Sequence, residues 1–515
     1  MSAADLSGPK PAGLAARLAL AFGAGAASVL TLPPFSLLAL VPIAWSTLFA
    51  CLAGLRPRRA VLVGFAFGLG SFGLGLSWIA ESFYVDAERF GALALPAVAA
   101  LSTGLAVFPA LAAAVFARLS RHVGAGLPAA LLLTTAWTGA EWLRGHLLTG
   151  FPWNLPGYAA ADFDALRQPA AWLGSYGLSF LVILTGALPG AAWRATGRAR
   201  RGAFVAAFVL PLAIWAAGTA RLSGPTPSST GISLRIVQGN IPQSEKWAPG
   251  SRERTLETYL RLSTRPGRFD VLLWPETAFP GFLDEDAAAR ARIADNLPED
   301  AVVLTGAPDR VEDEGGTRYF NTIQAYDRRG EVLTGYSKNH LVPFGEYVPL
   351  RDWLPLPRMV ESLGDFSPGS GPRTLALSGV PPVAPAICYE IIFPGHVIDG
   401  VYRPDWIFNA TNDAWFGTTF GPEQHLTAAR MRAVEEGLPV IRAANTGISA
   451  VINAHGDVIR RLDLDRAGII DAELPPGLPR TLYARVGDLV LPLLIFSVWL
   501  GVVVGARVRT FGAHA

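Results

Sequence analysis

Apolar residues follow two rhythms along this chain. In the first 220 residues they come in long runs, near positions 14–32, 35–55, 60–79, 91–117, 127–143, 171–192 and 203–220, and a last run spans 489–505. Each is close to the ~20 residues that a bilayer core requires. The first run has no clean small-residue cleavage site and a second follows almost at once, so it is expected to be retained as a span. From residue 231 the rhythm changes. Short apolar stretches at 234–238, 271–274, 302–306, 322–326, 332–336, 383–387, 406–409, 440–443, 449–452 and 469–472 read as strands. Helical spacing fits 252–263, 284–296 and 425–436. Mixed elements of this kind predict a layered α/β domain. The run Gly224-Pro225-Thr226-Pro227-Ser228-Ser229-Thr230 is a linker by composition. The predicted organisation is a transmembrane bundle of about seven spans over 1–222, a folded domain over 231–475 and one further span over 486–506.

Composition agrees with that division. The chain is 51% hydrophobic and 16% charged, where soluble domains carry about a quarter charged residues. Its mean hydropathy is +0.34. The net charge of +2 points to no nucleic-acid partner, and two distant cysteines, Cys51 and Cys388, suggest no disulfide framework.

Charge sets a predicted orientation. Arg56, Arg58 and Arg59 follow the second run, Arg118 and Arg121 the fourth, Arg194, Arg198, Arg200 and Arg201 the sixth, and Arg507 and Arg509 the last. With eight spans these loops share one side, which the positive-inside rule makes cytoplasmic. The folded domain, between the seventh and eighth spans, then lies outside the cytoplasm. Glycines 64, 68, 70, 73 and 75 in the third run predict close helix packing. Glu81 and Glu141 stand at span ends, where Glu141 can pair with Arg144. Phe151, Trp153 and Tyr158 in the loop 144–167, with Trp172 beyond it, read as an interfacial aromatic belt. The proline-rich segment 343–372, with Tyr347, Leu350, Trp353, Leu354, Leu356 and Met359, reads as an apolar lid or a loop dipping into the bilayer surface.

Three residues follow predicted strands in the same way: Glu276 after Val-Leu-Leu-Trp-Pro, Lys338 after Val-Leu-Thr-Gly-Tyr-Ser, and Cys388 after Val-Ala-Pro-Ala-Ile. Ligand sites in α/β sheets collect beyond the carboxyl ends of strands. A carboxylate, an ammonium and a thiol gathered there suit acyl transfer: the carboxylate takes the thiol proton, the thiolate attacks a carbonyl, and the ammonium with nearby backbone N–H groups stabilises the oxyanion. His340 and His425 lack a second ligand at metal spacing and read as structural.

The segments Trp274-Pro275-Glu276-Thr277-Ala278, Lys338 to Glu346 and Ile387-Cys388-Tyr389-Glu390 resemble the Glu–Lys–Cys pattern of the nitrilase (carbon–nitrogen hydrolase) superfamily. With Gly239-Asn240-Ile241-Pro242-Gln243, Asn412-Asp413-Ala414-Trp415-Phe416-Gly417, Gln424-His425 and the flanking spans, nearly the whole chain resembles the bacterial apolipoprotein N-acyltransferases. The resemblance implies an α-β-β-α sandwich, Cys388 as nucleophile, Glu276 as general base and Lys338 as oxyanion stabiliser. It implies a phospholipid that gives its sn-1 acyl chain to Cys388 as a thioester. The N-terminal amine of an apolipoprotein's S-diacylglyceryl cysteine then accepts the chain. It implies no metal or cofactor, and a place in the bacterial inner membrane with the catalytic domain on the periplasmic side. Glu346, Tyr389, Glu390, Trp247, Asn321 and Trp415 are supporting candidates, each with packing or structural hydrogen bonding as the competing reading. A membrane-tethered amidase, with water as acceptor, uses the same triad. A transporter with a regulatory domain is a different class, disfavoured because no inverted repeat or paired broken helices stand out.

Overall fold

The structure, a computed structural model, describes residues 13–225, 227–314, 316–349 and 365–500. Each N-terminal apolar run lies in helix: Leu14–Val29, Leu40–Leu52, Pro57–Gly75, Ala94–Leu105 continuing into Val107–Leu119, Leu127–His146, Ala170–Trp193 and Gly197–Leu222. Among the described residues, Ala87–His122, Ala170–Trp193, Gly197–Leu222 and Leu482–Leu500 are each long and apolar enough to cross a membrane. Pro57–Gly75 and Ser77–Tyr84, bent by 48°, make a fifth if they count as one span. The first two helices are shorter, because Pro33 and Pro34 between them supply no backbone donor to prolong either. The end of the last apolar run, beyond residue 500, lies outside the described residues.

The third helix packs through its glycines. A Cβ at Gly68 would sit 2.9 Å from Ala106 Cα, and one at Gly70 would strike the Phe22 carbonyl oxygen. Close backbone approach replaces side-chain interdigitation here. Glu141 does pair with Arg144, whose guanidinium also donates to the Trp153 carbonyl at 3.1 Å. The loop after it departs from the expected belt. Trp153 and Tyr158 are each only 3% exposed. Trp153 donates to Gln424 Oε1 at 2.8 Å, and Tyr158 accepts from Arg432 at 3.3 Å. These aromatics fill the junction between the bundle and the second half of the chain, where a partner surface competes better for them than a lipid headgroup layer.

That second half is two stacked sheets. In chain order the strands are β1 Ser233–Gln238, β2 Val271–Leu273, β3 Val302–Asp313, β4 Gly316–Tyr326, β5 Val332–Ser337, β6 Leu375–Leu377, β7 Val380–Ile387, β8 Trp406–Thr411, β9 Val440–Ala444, β10 Ser449–Ile452, β11 Val458–Leu462 and β12 Gly468–Glu473. One sheet runs β12-β1-β2-β3-β4-β5, the other β11-β10-β9-β8-β7-β6. Each has three parallel strands at its centre, β1-β2-β3 and β7-β8-β9. Period-two alternation sorts the side chains. Val383, Ile387, Trp406 and Phe408 face Leu234, Ile236, Val271 and Leu273 across the gap between the sheets. Ala384, Ala386 and Ile407 point the other way.

Helices cover both outer faces, giving an α-β-β-α sandwich. Ser251–Ser263 and Ala287–Ala294 pack on the first sheet through Leu256, Tyr259 and Ile293. Gly421–Glu436 covers the second sheet, and its far side meets the membrane bundle, so one continuous apolar cluster runs from the spans through this helix to β7 and β8. Charges lock that junction. Glu435 accepts from the Ser175 N–H at 2.6 Å, and Arg432, 2.8 Å from Glu435, donates to Ser175 Oγ at 2.9 Å. The helix is buried nearly all round, as a layer between two apolar partners must be.

Candidate active site

The three strand-end residues meet between the sheets. Glu276 lies just past β2, Lys338 just past β5 and Cys388 just past β7. A Cβ at Gly306 would lie 2.6 Å from Glu276 Cα, so only glycine on β3 lets the Glu276 segment approach this closely. Lys338 Nζ is 2.9 Å from Glu346 Oε1 and 3.5 Å from Glu276 Oε1. Asn321, on β4, joins the two carboxylates, donating to Glu276 Oε1 at 2.7 Å and to Glu346 Oε1 at 2.9 Å. Its own carbonyl accepts from the Lys338 N–H at 2.8 Å. Burial alone would lower the Lys338 ammonium, but Glu346, Glu276 and Cys388 outweigh it and hold it well above the ordinary lysine range.

Cys388 opens a short 3-10 turn and has φ of 49°, in the left-handed region that a side-chain-bearing residue rarely adopts. Strain of this kind, about 1–3 kcal/mol, survives only where the surroundings fix it. Three side chains do so. Asn409 donates to the Ala386 carbonyl at 3.0 Å, Glu390 Oε2 accepts from the Ile387 N–H at 2.7 Å, and His425 Nε2 lies 3.1 Å from the Cys388 carbonyl oxygen. Glu390 Oε1 also accepts from Tyr336 Oη at 2.6 Å and from the Asn339 and His340 N–H groups at 2.7 and 3.1 Å. One carboxylate thus staples the Cys388 turn to the Lys338 strand end. Burial, then the nearby Glu276 charge, pushes the Cys388 thiol up, with Lys338 acting the other way. A thiol held this way needs a base to activate it.

Tyr389 turns toward the membrane half. Its hydroxyl donates to the Gly150 carbonyl at 3.2 Å, and its ring stacks with Phe151 and meets His340 and Phe393 edge-on. Beside it lies a cavity of about 570 Å³, lined by His146, Leu148 and Thr149 from the bundle side and by His340, Tyr347 and Phe393 from the sandwich side. The roots of the proposed lid are tied into the site. The Phe366 N–H donates to the Glu346 carbonyl at 2.9 Å and the Gly369 N–H to the Lys338 carbonyl at 2.8 Å. Leu350, Trp353, Leu354, Leu356 and Met359 lie outside the described residues.

Two supporting candidates stand apart from the hydrogen-bonded cluster. Trp247 is half-buried at the end of the short Gln243–Lys246 helix, and Trp415 is half-buried with its carbonyl accepting from Ser82 Oγ at 2.8 Å. The structure brings in groups that the sequence reading passed over. Lys246 is 2% exposed and donates to the Glu276 carbonyl at 3.2 Å. Burial lowers its ammonium to about 8, against the pull of Glu276 and Cys388. It stands in a polar stretch and so reads as a solvated lysine. Asp413 and Arg442 are fully buried near Cys388, both in contact with His425, which the sequence marks as structural. A charge inside the apolar stretch Val440-Ile441-Arg442-Ala443 was the available signal. Cys388, Asp413 and His425 bring possible ligand atoms within 4.8 Å of one another. The Arg442 guanidinium, 2.6 Å from Asp413, already supplies the positive charge there, which is unfavourable for a metal ion.

The sandwich and its cysteine-centred site define a carbon–nitrogen hydrolase fold. The model of that family matches residues 233–482, and the model of the apolipoprotein N-acyltransferase N-terminal domain matches 24–188. The apolipoprotein N-acyltransferase of Bradyrhizobium diazoefficiens is 41% identical, covering 97% of this chain and 96% of its own. That of Rhodopseudomonas palustris is 40% identical over 95% of each. Among solved structures, an amidase from Nesterenkonia sp. is 20% identical over 49% of this chain and 94% of its own, with a TM-score of 0.36. The chain belongs to the apolipoprotein N-acyltransferase family.

Proposed function

We propose that this protein matures lipoproteins by moving the sn-1 acyl chain of a phospholipid, through a thioester on Cys388, to the N-terminal amine of an S-diacylglyceryl cysteine. The observation that carries this reading is the buried Glu276–Lys338–Glu346 cluster at the strand end opposite a strained cysteine, with the membrane bundle packed against the same turn. Glu276 takes the Cys388 proton as sulfur attacks the ester carbonyl. Lys338 and backbone N–H groups of the turn stabilise the oxyanion. The intermediate collapses with cleavage of the ester C–O bond, and Glu276 returns the proton to the leaving glycerol oxygen, so a lysophospholipid departs. In the second half the neutral amine attacks the thioester, Glu276 accepts its proton, the C–S bond breaks and the thiol is restored. This is a ping-pong cycle with no net change in the enzyme.

Glu346 and Asn321 position Lys338 and Glu276, and Glu390 sets the turn. The cavity of about 570 Å³ at the bundle junction suits part of a lipid substrate. The catalytic half sits on the periplasmic side in this reading. Arg194 donates to the Ala50 carbonyl at 3.2 Å, and Gly126 abuts Ala199, so the arginine-bearing loops near 56, 121 and 198 cluster at one end of the bundle. The positive-inside rule makes that end cytoplasmic.

The test is to incubate purified protein in detergent with a phospholipid labelled on sn-1 and no acceptor, then to analyse the Cys388 peptide by mass spectrometry. The labelled chain is expected on Cys388 and absent from Cys388→Ser. Unmodified Cys388 with intact phospholipid overturns the lipid donor.

A further inference from the structure

Two of the three contacts that hold the Cys388 turn, those of Asn409 and His425, lead back to one buried charge. Arg442 Nη1 donates to Asn409 Oδ1, the same amide whose nitrogen holds the Ala386 carbonyl. Arg442 Nη2 lies 2.6 Å from Asp413 Oδ2 and 3.1 Å from His425 Nδ1. Asp413 Oδ1 is 2.8 Å from His425 Nδ1 and accepts from Thr411 Oγ1 at 3.1 Å. The opposite ring nitrogen, Nε2, faces the Cys388 carbonyl oxygen at 3.1 Å. A carbonyl can only accept, so Nε2 carries a proton. Burial and the Arg442 charge hold His425 below the ordinary histidine range, against Asp413. The ring also packs against Trp153 and Phe416, each with centroids 5.5 Å away. The surrounding groups therefore fix it on every side.

We infer that His425 is a positioning residue for Cys388: braced by Asp413 and Arg442, it donates to the nucleophile's own carbonyl and keeps the left-handed turn aimed at the reacting ester. Its seat on Trp153 ties that turn to the membrane half. It takes no proton from the thiol, since Nε2 already carries one toward a main-chain acceptor and Nδ1 faces Asp413 and Arg442. The inference rests on the proposed role of Cys388.

Two substitutions separate positioning from mere support. In His425→Asn the short amide stays near Asp413 and Arg442 but falls short of the Cys388 carbonyl. In His425→Gln the amide N–H reaches the place of Nε2. Single-turnover formation of the labelled thioester is measured for each at saturating phospholipid, across pH 6–9. A misplacement of about 1 Å costs on the order of 10²-fold. His425→Asn is therefore expected to acylate about 10- to 100-fold slower with little change in KM, and His425→Gln to recover to within a few-fold of the parent. The pH profile of both keeps the parent's midpoint, which loss of an acid or base would move. Equal rates for the two variants, fast or slow, overturn the inference, and so does a shifted midpoint. Failure of the unsubstituted protein to form any thioester falls instead on the proposed function.

Discussion

Lys338 Nζ sits 2.9 Å from Glu346 and 3.5 Å from Glu276, and the proposed mechanism makes the closer carboxylate the holder and the farther one the base. The difference separates their roles. Glu276→Gln removes the base, and thioester formation is expected to fall about 10²- to 10⁴-fold. Glu346→Gln leaves the base but loosens the ammonium, and a loss of about 10- to 100-fold is expected. Initial rates of lysophospholipid release measure both. Because the pair shares Asn321 and Lys338, the double variant should lose less than the product of the two single effects.

Glu390 is a structural clamp whose loss is graded. Glu390→Ala strands the Tyr336 hydroxyl and three backbone N–H groups in a buried site. Each unsatisfied group costs about 1–3 kcal/mol. Glu390→Gln keeps one good acceptor and turns an NH₂ against a donor. Thermal unfolding in detergent should rank the parent above Gln and Gln above Ala, and thioester formation should follow the same order.

Acid should weaken the nucleophile scaffold in a defined window. Burial would raise the Asp413 carboxyl, but Arg442 and His425 outweigh it and bring it to about 2 from 3.8. A group lowered in the folded state stabilises the fold above its unfolded value and loses that contribution as pH falls through the folded one. Asp413 therefore contributes about 2 kcal/mol above pH ~4, lost by pH ~2. Asp413→Asn should be less stable at neutral pH, and its difference from the parent should shrink across that window. A constant difference in unfolding midpoint from pH 5 to 2 contradicts this.

The bundle depends on close helix approaches at the glycines of its third helix. Gly68→Leu drives a side chain into Ala106, which lies on backbone that cannot step aside. The expected result is loss of the monodisperse peak in detergent size-exclusion chromatography, whereas Gly73→Ala, with open space at its Cβ, should leave it intact.

The long apolar runs were legible because a bilayer imposes length, and the strands at 302–306 and 383–387 because buried parallel strands are continuously apolar. The same rule hid β6 and β11. They are the edges of the second sheet; β11 reads Val-Ile-Arg-Arg-Leu and is largely exposed. The Gly421–Glu436 helix starts four residues before the expected 425, because Pro422 resembles a turn yet fits the first helical turn. In the site, Glu276, Lys338 and Cys388 were marked by their strand ends. Lys246, Asp413 and Arg442 were not, since burial of a charge is decided by which sheet lands above it. Trp153 reads as a membrane-surface residue until the helix that covers it is in place.

In the proposed cycle the acyl chain passes from lipid to amine through Cys388. Acyl-enzyme formed on labelled phospholipid can be freed of lipid and divided. One portion meets a diacylglyceryl peptide with a free N-terminal amine, the other buffer alone. Rapid discharge onto the peptide amine is expected, with a thioester that persists in buffer. Equal loss of label in both portions, with free fatty acid as the product, would contradict that cycle.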